Sequence, residues 1–193
     1  MRYIFDIKLT KTTNMKKIIL STAILAVTLV SIAQRKADTE FKNIVKFNPL
    51  GLLLGNANLS YEYVLTEKSA AQLNVQFGAR SAGTTKYTFV GAGVDYKFYL
   101  SHTKAAPKGF YASPGAGFYS ITVKDGTQKY NGSGAILKGT IGNQWVWGSG
   151  FALDVFGGVN YFAGSRIKGA GSVEYNVFSG LLPSIGVSLG YAF

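Results

Sequence analysis

Residues 183 to 193, Pro-Ser-Ile-Gly-Val-Ser-Leu-Gly-Tyr-Ala-Phe, decide the reading of the fold. Ile185, Val187, Leu189, Tyr191 and Phe193 alternate with Ser184, Gly186, Ser188, Gly190 and Ala192. A period of two is that of a β-strand, whose successive side chains point to opposite faces. One face is wholly apolar and ends in aromatics. The other is small or weakly polar and carries no charge, which suits a crowded, narrow lumen better than bulk water.

Working back from that stretch, the same alternation predicts seven more strands. Roughly Lys42 to Leu50 offers Val45, Phe47 and Pro49 to one face and Lys46 and Asn48 to the other, with Pro49 marking an irregular end. Asn56 to Leu65 places Leu59, Tyr61, Tyr63 and Leu65 opposite Asn58, Ser60 and Glu62. Ala70 to Arg80 is the cleanest, with Ala71, Leu73, Val75, Phe77 and Ala79 against Gln72, Asn74, Gln76, Gly78 and Arg80. Tyr87 to Leu100, Phe110 to Val123, Ala135 to Trp147 and Phe151 to Ala163 complete the set. In the strand from Phe110, Pro114 predicts a bulge or a break in the ladder.

Composition narrows the class. The 193 residues include 24 Gly, 12 Tyr, 13 Phe and no Cys, and 15% are charged. Few charges and many aromatics exclude disorder, and no apolar run after residue 33 is long enough for a helical span. Without Cys there is no disulfide, zinc-thiolate site or thiol nucleophile. No cofactor is implied. The formal charge is +11, and leaving out residues 1 to 33 it is +7. A basic balance suits nucleic acid, anionic lipid or acidic glycans, and export from the cytoplasm makes nucleic acid the least suitable of these.

Export is read from the N-terminal segment. Met15-Lys16-Lys17, the apolar run Ile18 to Val30 and Ser31-Ile32-Ala33 before Gln34 have the form of a secretory signal peptide. The run is too short to cross the roughly 30 Å hydrocarbon core as a helix. Residues 1 to 14 fit no targeting pattern, which points to Met15 as an alternative start. The expected organisation is a signal peptide over 1 to 33, a periplasmic lead-in over 34 to 41 and a barrel over 42 to 193.

A soluble lipocalin-like barrel has the same alternation with its faces reversed, so the chemistry of the polar face must choose. That face is mostly Gly, Ser, Thr, Asn and Gln, which fits the interior of eight strands. Tyr61, Tyr63, Phe98, Trp145, Trp147, Tyr191 and Phe193 gather near strand ends, as an interfacial girdle would. Thr66 to Ser69 and Gly148 to Gly150 read as tight turns, and Ser81 to Lys86, Lys124 to Gly134 and Gly164 to Gly180 as longer external loops. The eight residues Ser101 to Lys108 are long for a periplasmic turn. The fold class is therefore all-β, an eight-stranded antiparallel up-and-down transmembrane β-barrel.

The leader, the eight strands and the terminal Phe resemble the small outer-membrane barrels of the OmpX, OmpA and OmpW type, over about residues 42 to 193. The resemblance implies a bacterial outer-membrane location and lipid as the surrounding partner. It also implies recognition of Tyr191 and Phe193 by the barrel assembly machinery. Being one of pattern rather than of an extended motif, it transfers fold and location more securely than activity.

Two groups of residues are functional candidates. Lys46, Glu62, Arg80, Asp95, Lys97, Lys138 and Asp154 point inward and are expected to pair, as a structural plug or as the exchanging partners of a gated ion path. Lys86, Lys124, Lys129, Arg166 and Lys168 lie in or beside the expected external loops and suit headgroup phosphates, a surface glycan or a protein ligand. His102, beside Ser101, falls in an expected periplasmic turn with no neighbouring carboxylate, which reads as a solvated histidine rather than a hydrolase residue. The expected function is non-enzymatic, in envelope integrity or surface interaction through the loops. A narrow gated channel or small-solute carrier is the alternative, and a lipid-modifying enzyme the third reading.

Overall fold

A computed structural model describes residues 41 to 193 except 54, 127, 164, 169 to 173 and 178, and except the side chains of 165 to 168 and 174 to 177. The expected signal peptide and residues 34 to 40 lie outside the described residues. In chain order the elements are β1 (Asn43–Phe47), α1 (Pro49–Leu53), β2 (Asn56–Thr66), β3 (Ser69–Ala82), β4 (Thr85–Tyr99), β5 (Gly109–Asp125), β6 (Gln128–Val146), β7 (Phe151–Ala163), β8 (Ser165–Lys168), β9 (Glu174–Val177) and β10 (Gly180–Ala192).

Strands β1 to β7 each pair antiparallel with the next, β7 pairs with β10, and β10 returns to β1 through Ile44↔Ala192 to Phe47↔Leu189. Eight antiparallel up-and-down strands thus close into a ring. Closure leaves the ring no free edge strand, which a sheet in lipid requires because nothing there can satisfy unpaired backbone groups. The short β8–β9 hairpin lies beside β6, where Lys168 pairs with Asn131.

The faces divide as the alternation predicts, and they are inverted relative to a soluble protein. Leu59, Leu73, Val75, Phe77, Val94, Leu137, Ile141 and Ile185 are all exposed. Lys46, Glu62, Lys97, Gln144 and Asp154 are buried. A soluble fold does the reverse, because burying a charge costs free energy and burying an apolar side chain releases it. At the end of the barrel that carries the β2–β3 and β6–β7 turns, Tyr61, Tyr63, Trp145, Trp147, Tyr191 and Phe193 face outward. Trp147 packs on Phe151 at 5.3 Å and Tyr96 on Phe98 at 4.6 Å.

Three expectations are corrected. The first strand stops at Phe47, and the one-turn helix α1 follows instead of a strand continued to Leu50. Asn48 and Pro49 explain this. The Asn48 side-chain oxygen accepts the Gly51 N–H at 2.8 Å, an N-cap, and Pro49 takes the first helical position, where its missing donor costs nothing. Second, of the bulge or ladder break expected at Pro114 the bulge is absent and the break is present, with no shift of register. β5 runs unbroken past it, pairing Pro114 with Gly139 on β6, while the β4 ladder lacks the rungs between Asp95↔Gly115 and Phe98↔Ala112. A missing N–H removes a bond on one side only.

Third, Ser81 to Lys86 and Lys124 to Gly134 are not loops. β3 and β4 stay paired to Ala82↔Thr85 and β5 and β6 to Asp125↔Gln128, so both connections are two-residue hairpin turns. Gly83 and Gly126 there have φ of +60° and +57°, the left-handed backbone such turns need. Within Gly164 to Gly180, expected as a third loop, β8 and β9 pair from Ser165↔Val177 to Lys168↔Glu174.

Candidate functional site

The inward side chains nearest the turn end form one closed network from six strands. Lys46 of β1 places Nζ 2.6 Å from Glu62 of β2 and 2.9 Å from Asp154 of β7. Lys97 of β4 places Nζ 3.0 Å from the same Glu62 oxygen and 2.8 Å from the same Asp154 oxygen. Both ammoniums also donate to Gln144 Oε1 of β6, at 2.9 and 3.0 Å. Two positive and two negative charges therefore cancel within one hydrogen-bonded group.

The remaining acceptor positions are filled by tyrosines. Tyr99 donates to Glu62 Oε1 at 2.5 Å, and Tyr111 of β5 donates to Asp154 Oδ1 at 2.8 Å. The Tyr111 ring also lies 4.0 Å beneath the Lys97 ammonium. Gln144 Nε2 donates to the Pro107 carbonyl at 2.9 Å. This last bond explains the long connection between β4 and β5. It folds inward as a cap, with Ala106 and Pro107 buried, the Ala106 N–H bonded to Glu67 O at 2.7 Å, and the Lys68 ammonium donating to Ser101 O. His102 sits on the outside of this cap, exposed.

A second pair lies one layer deeper. Asp95 of β4 and Lys138 of β6 meet at 2.5 Å although β5 runs between them. Gly115 makes this possible. It occupies the same cross-strand row, Asp95↔Gly115↔Lys138, and a Cβ there would lie 2.9 Å from Asp95 Cγ. Asn74 donates to Asp95 Oδ2 at 2.7 Å and accepts from Ser60 at 2.8 Å and Gln72 at 2.7 Å.

These layers line a cavity of about 410 Å³ in the lumen, with Lys46, Lys97, Asp154, Asp95 and Lys138 in its wall together with side chains such as Asn58, Gln76, Thr140, Asn160 and Ser184. Asn56 Oδ1, Gln72 Oε1 and Ser113 Oγ also line it and have no protein partner. A polar cavity of this size is one that water fills.

Of the seven inward candidates, the structure brings together Lys46, Glu62, Lys97 and Asp154 as one group and Asp95 with Lys138 as another. Arg80 belongs to neither. It is exposed on β3 towards the hairpin end, beside Gly55 on the rim of a separate recess. Sequence reasoning missed Tyr99, Tyr111 and Gln144 as members. Parity along β4 and β6 places Tyr99 and Gln144 inward, so their signal was present; on β5 the run around Pro114 obscured it.

Lys86, Lys124 and Lys129, expected beside loops, are on β4, β5 and β6 and exposed. Arg166 and Lys168 fall on β8, and their side chains lie outside the described residues. Tyr191 and Phe193 stack at 6.5 Å on the outside, and Phe193 joins the closure seam by exchanging backbone hydrogen bonds with Asn43 at 2.8 and 2.9 Å.

Packing of the network depends on Gly142, which is paired directly with Tyr111. A Cβ at Gly142 would lie 2.6 Å from the Tyr111 hydroxyl oxygen and 2.8 Å from the Val155 carbonyl. Gly142→Ala should therefore push Tyr111 off Asp154 and cost about 1–3 kcal/mol, as overpacking does. A urea-unfolding series of the lipid-inserted protein measures this. An unchanged midpoint would show that the network does not need Tyr111 in place.

No protein-family model matches the sequence, and no curated protein matches it. Among solved structures, the chain is similar to CarO of Acinetobacter baumannii, with a TM-score of 0.48 and 10% sequence identity over 82% of this chain and 100% of that one.

Proposed function

We propose that this chain is a bacterial outer-membrane β-barrel with a closed lumen, non-enzymatic, acting through the outward surface and the hairpin end rather than as an open pore. The observation that carries the reading is the Lys46, Lys97, Glu62 and Asp154 group. It ties opposite walls of the ring together at 2.6 to 3.0 Å, with the β4–β5 connection folded against it. Inverted burial supports the membrane part of the reading, because the exposed apolar belt would be costly in water. At the level of this group the ring is filled by its own side chains, so a narrow path would require these ion pairs to part.

The first test is gel mobility of the protein from isolated outer membranes, with and without boiling. A heat-dependent shift in the membrane fraction is expected; a soluble, unshifted protein would overturn the location. In planar bilayers the inserted protein should be silent across the physiological voltage range. Reproducible single-channel openings, changed in size by Glu62→Gln, would replace the closed reading with a gated one.

A further inference from the structure

We propose that the outer face of the barrel binds a lipid carrying a headgroup phosphate, with the phosphate on β4, β5 and β6 at the hairpin end and the acyl chain over β2 to β5. The inference rests on the membrane reading above and deepens it by naming a partner. Lys86, Lys124 and Lys129 lie in one cross-strand row, Lys86↔Lys124↔Lys129, on three adjacent strands. Directly paired residues hold their Cβ atoms about 4.5–5.5 Å apart, and like charges so placed repel. Among the described residues no carboxylate lies within ion-pair distance of any of the three. The neighbouring Asp125 is turned to the other face and accepts from Thr84 and Thr85 at 3.3 and 3.1 Å. A bridging anion relieves the repulsion and gains charge-assisted hydrogen bonds.

The rows beneath say which anion. Next on the same face comes Thr88↔Thr122↔Asn131, in which the Thr122 hydroxyl donates to Asn131 at 2.9 Å, and then Val90↔Ser120↔Ser133. Below these is Ala92↔Phe118↔Ala135, where the surface turns apolar. Small Ala92 opens a recess of about 570 Å³ that runs sideways from Phe118 of β5 across Val90 of β4 to Val75 and Phe77 of β3 and Leu59 of β2. Lys86 and Val90 are four positions apart, roughly 13 Å along a strand. Ammonium groups, then hydroxyls and an amide, then an apolar recess is the order in which a phospholipid presents phosphate, polar linkage and acyl chain. A free anion would use only the top of this face and a neutral lipid only the bottom.

The probe is phosphatidylglycerol, offered with phosphatidylcholine in mixed vesicles to the inserted full-length protein. Native mass spectrometry of the extracted protein reads which lipid is retained. Wild type should retain phosphatidylglycerol preferentially. Replacing the three lysines (Lys86→Gln, Lys124→Gln and Lys129→Gln together) should weaken that preference about a hundredfold, each lysine contributing roughly a factor of five. Ala92→Phe, which fills the recess and leaves the lysines, should also reduce retention. Equal retention by wild type and the lysine variant overturns the site. So does displacement of the lipid by inorganic phosphate at low concentration, which would assign the row to a soluble anion. Failure to insert into these vesicles, with no heat-dependent mobility shift, would overturn the membrane reading itself and is distinguishable from both.

Discussion

Asp154→Asn is expected to destabilise the folded barrel by about 3–5 kcal/mol, the largest loss among the substitutions considered, because it leaves buried positive charge without its partner. Asp154 Oδ2 serves both Lys46 and Lys97, and Oδ1 takes the Tyr111 hydroxyl. The amide that replaces it keeps the shape and removes the charge, so Glu62 alone must face two ammoniums it already contacts at 2.6 and 3.0 Å. The paired variant Lys97→Leu with Asp154→Leu should cost less than the single one, since the two charges it removes cancel each other. Urea unfolding in lipid vesicles gives both values. A loss below about 1 kcal/mol for Asp154→Asn would mean that the group is screened in the way exposed ion pairs are.

The second large effect is on the opposite face. Val94 is 59% exposed and central among the apolar outward positions of β4, Val90 to Phe98. Val94→Arg should cost about 2–4 kcal/mol, the range for a cation placed on the lipid face near mid-membrane. On a soluble barrel the same exposed substitution would fall within about 0.5 kcal/mol of zero. The measurement is a refolding equilibrium in vesicles, and a near-zero value would show that this face does not meet hydrocarbon. The two substitutions test one proposition from both sides, namely that the polar groups are inside and the apolar ones outside.

What could be read from the sequence follows where the two faces of a strand meet different surroundings. Along β2, β3, β4, β6 and β7 one face meets the apolar exterior and the other a polar lumen, so alternation was legible and the facing of Glu62, Lys97 and Asp154 came out correctly. Beyond that belt both faces carry small or polar side chains. Ser81-Ala82-Gly83-Thr84-Thr85-Lys86 has no period to read, although its backbone stays paired into the hairpin. Loop chemistry and doubly polar strand chemistry are the same at the level of composition. Pairing of the charges was legible as a requirement, since a narrow lumen leaves a buried ion few other options. The choice of partners was not. Asp95 meets Lys138 across Gly115, and Tyr111 lies over Gly142 because neither glycine has a side chain, which only strand register reveals. Arg80 satisfies the same inward parity but stands beyond the depth at which the walls close on a charge.

The seam between β1 and β10 has a consequence for the order of folding. Every other neighbour in the ring but one is next in sequence, so hairpins β2–β3, β3–β4, β4–β5, β5–β6 and β6–β7 can form as soon as their residues exist. β1, only five residues long, pairs with β10 across nearly the whole span of the ring, and Asn43 and Phe193 are 150 positions apart. The entropic cost of bringing such distant segments together is met late. Until β10 arrives the ring is an open curved sheet with two unsatisfied edges and a half-built charge group, Lys46 and Glu62 on one margin and Asp154 on the other. The last strand to dock therefore joins the backbone ladder and completes charge neutralisation in one event, so partially closed forms should be scarce and folding sharply cooperative.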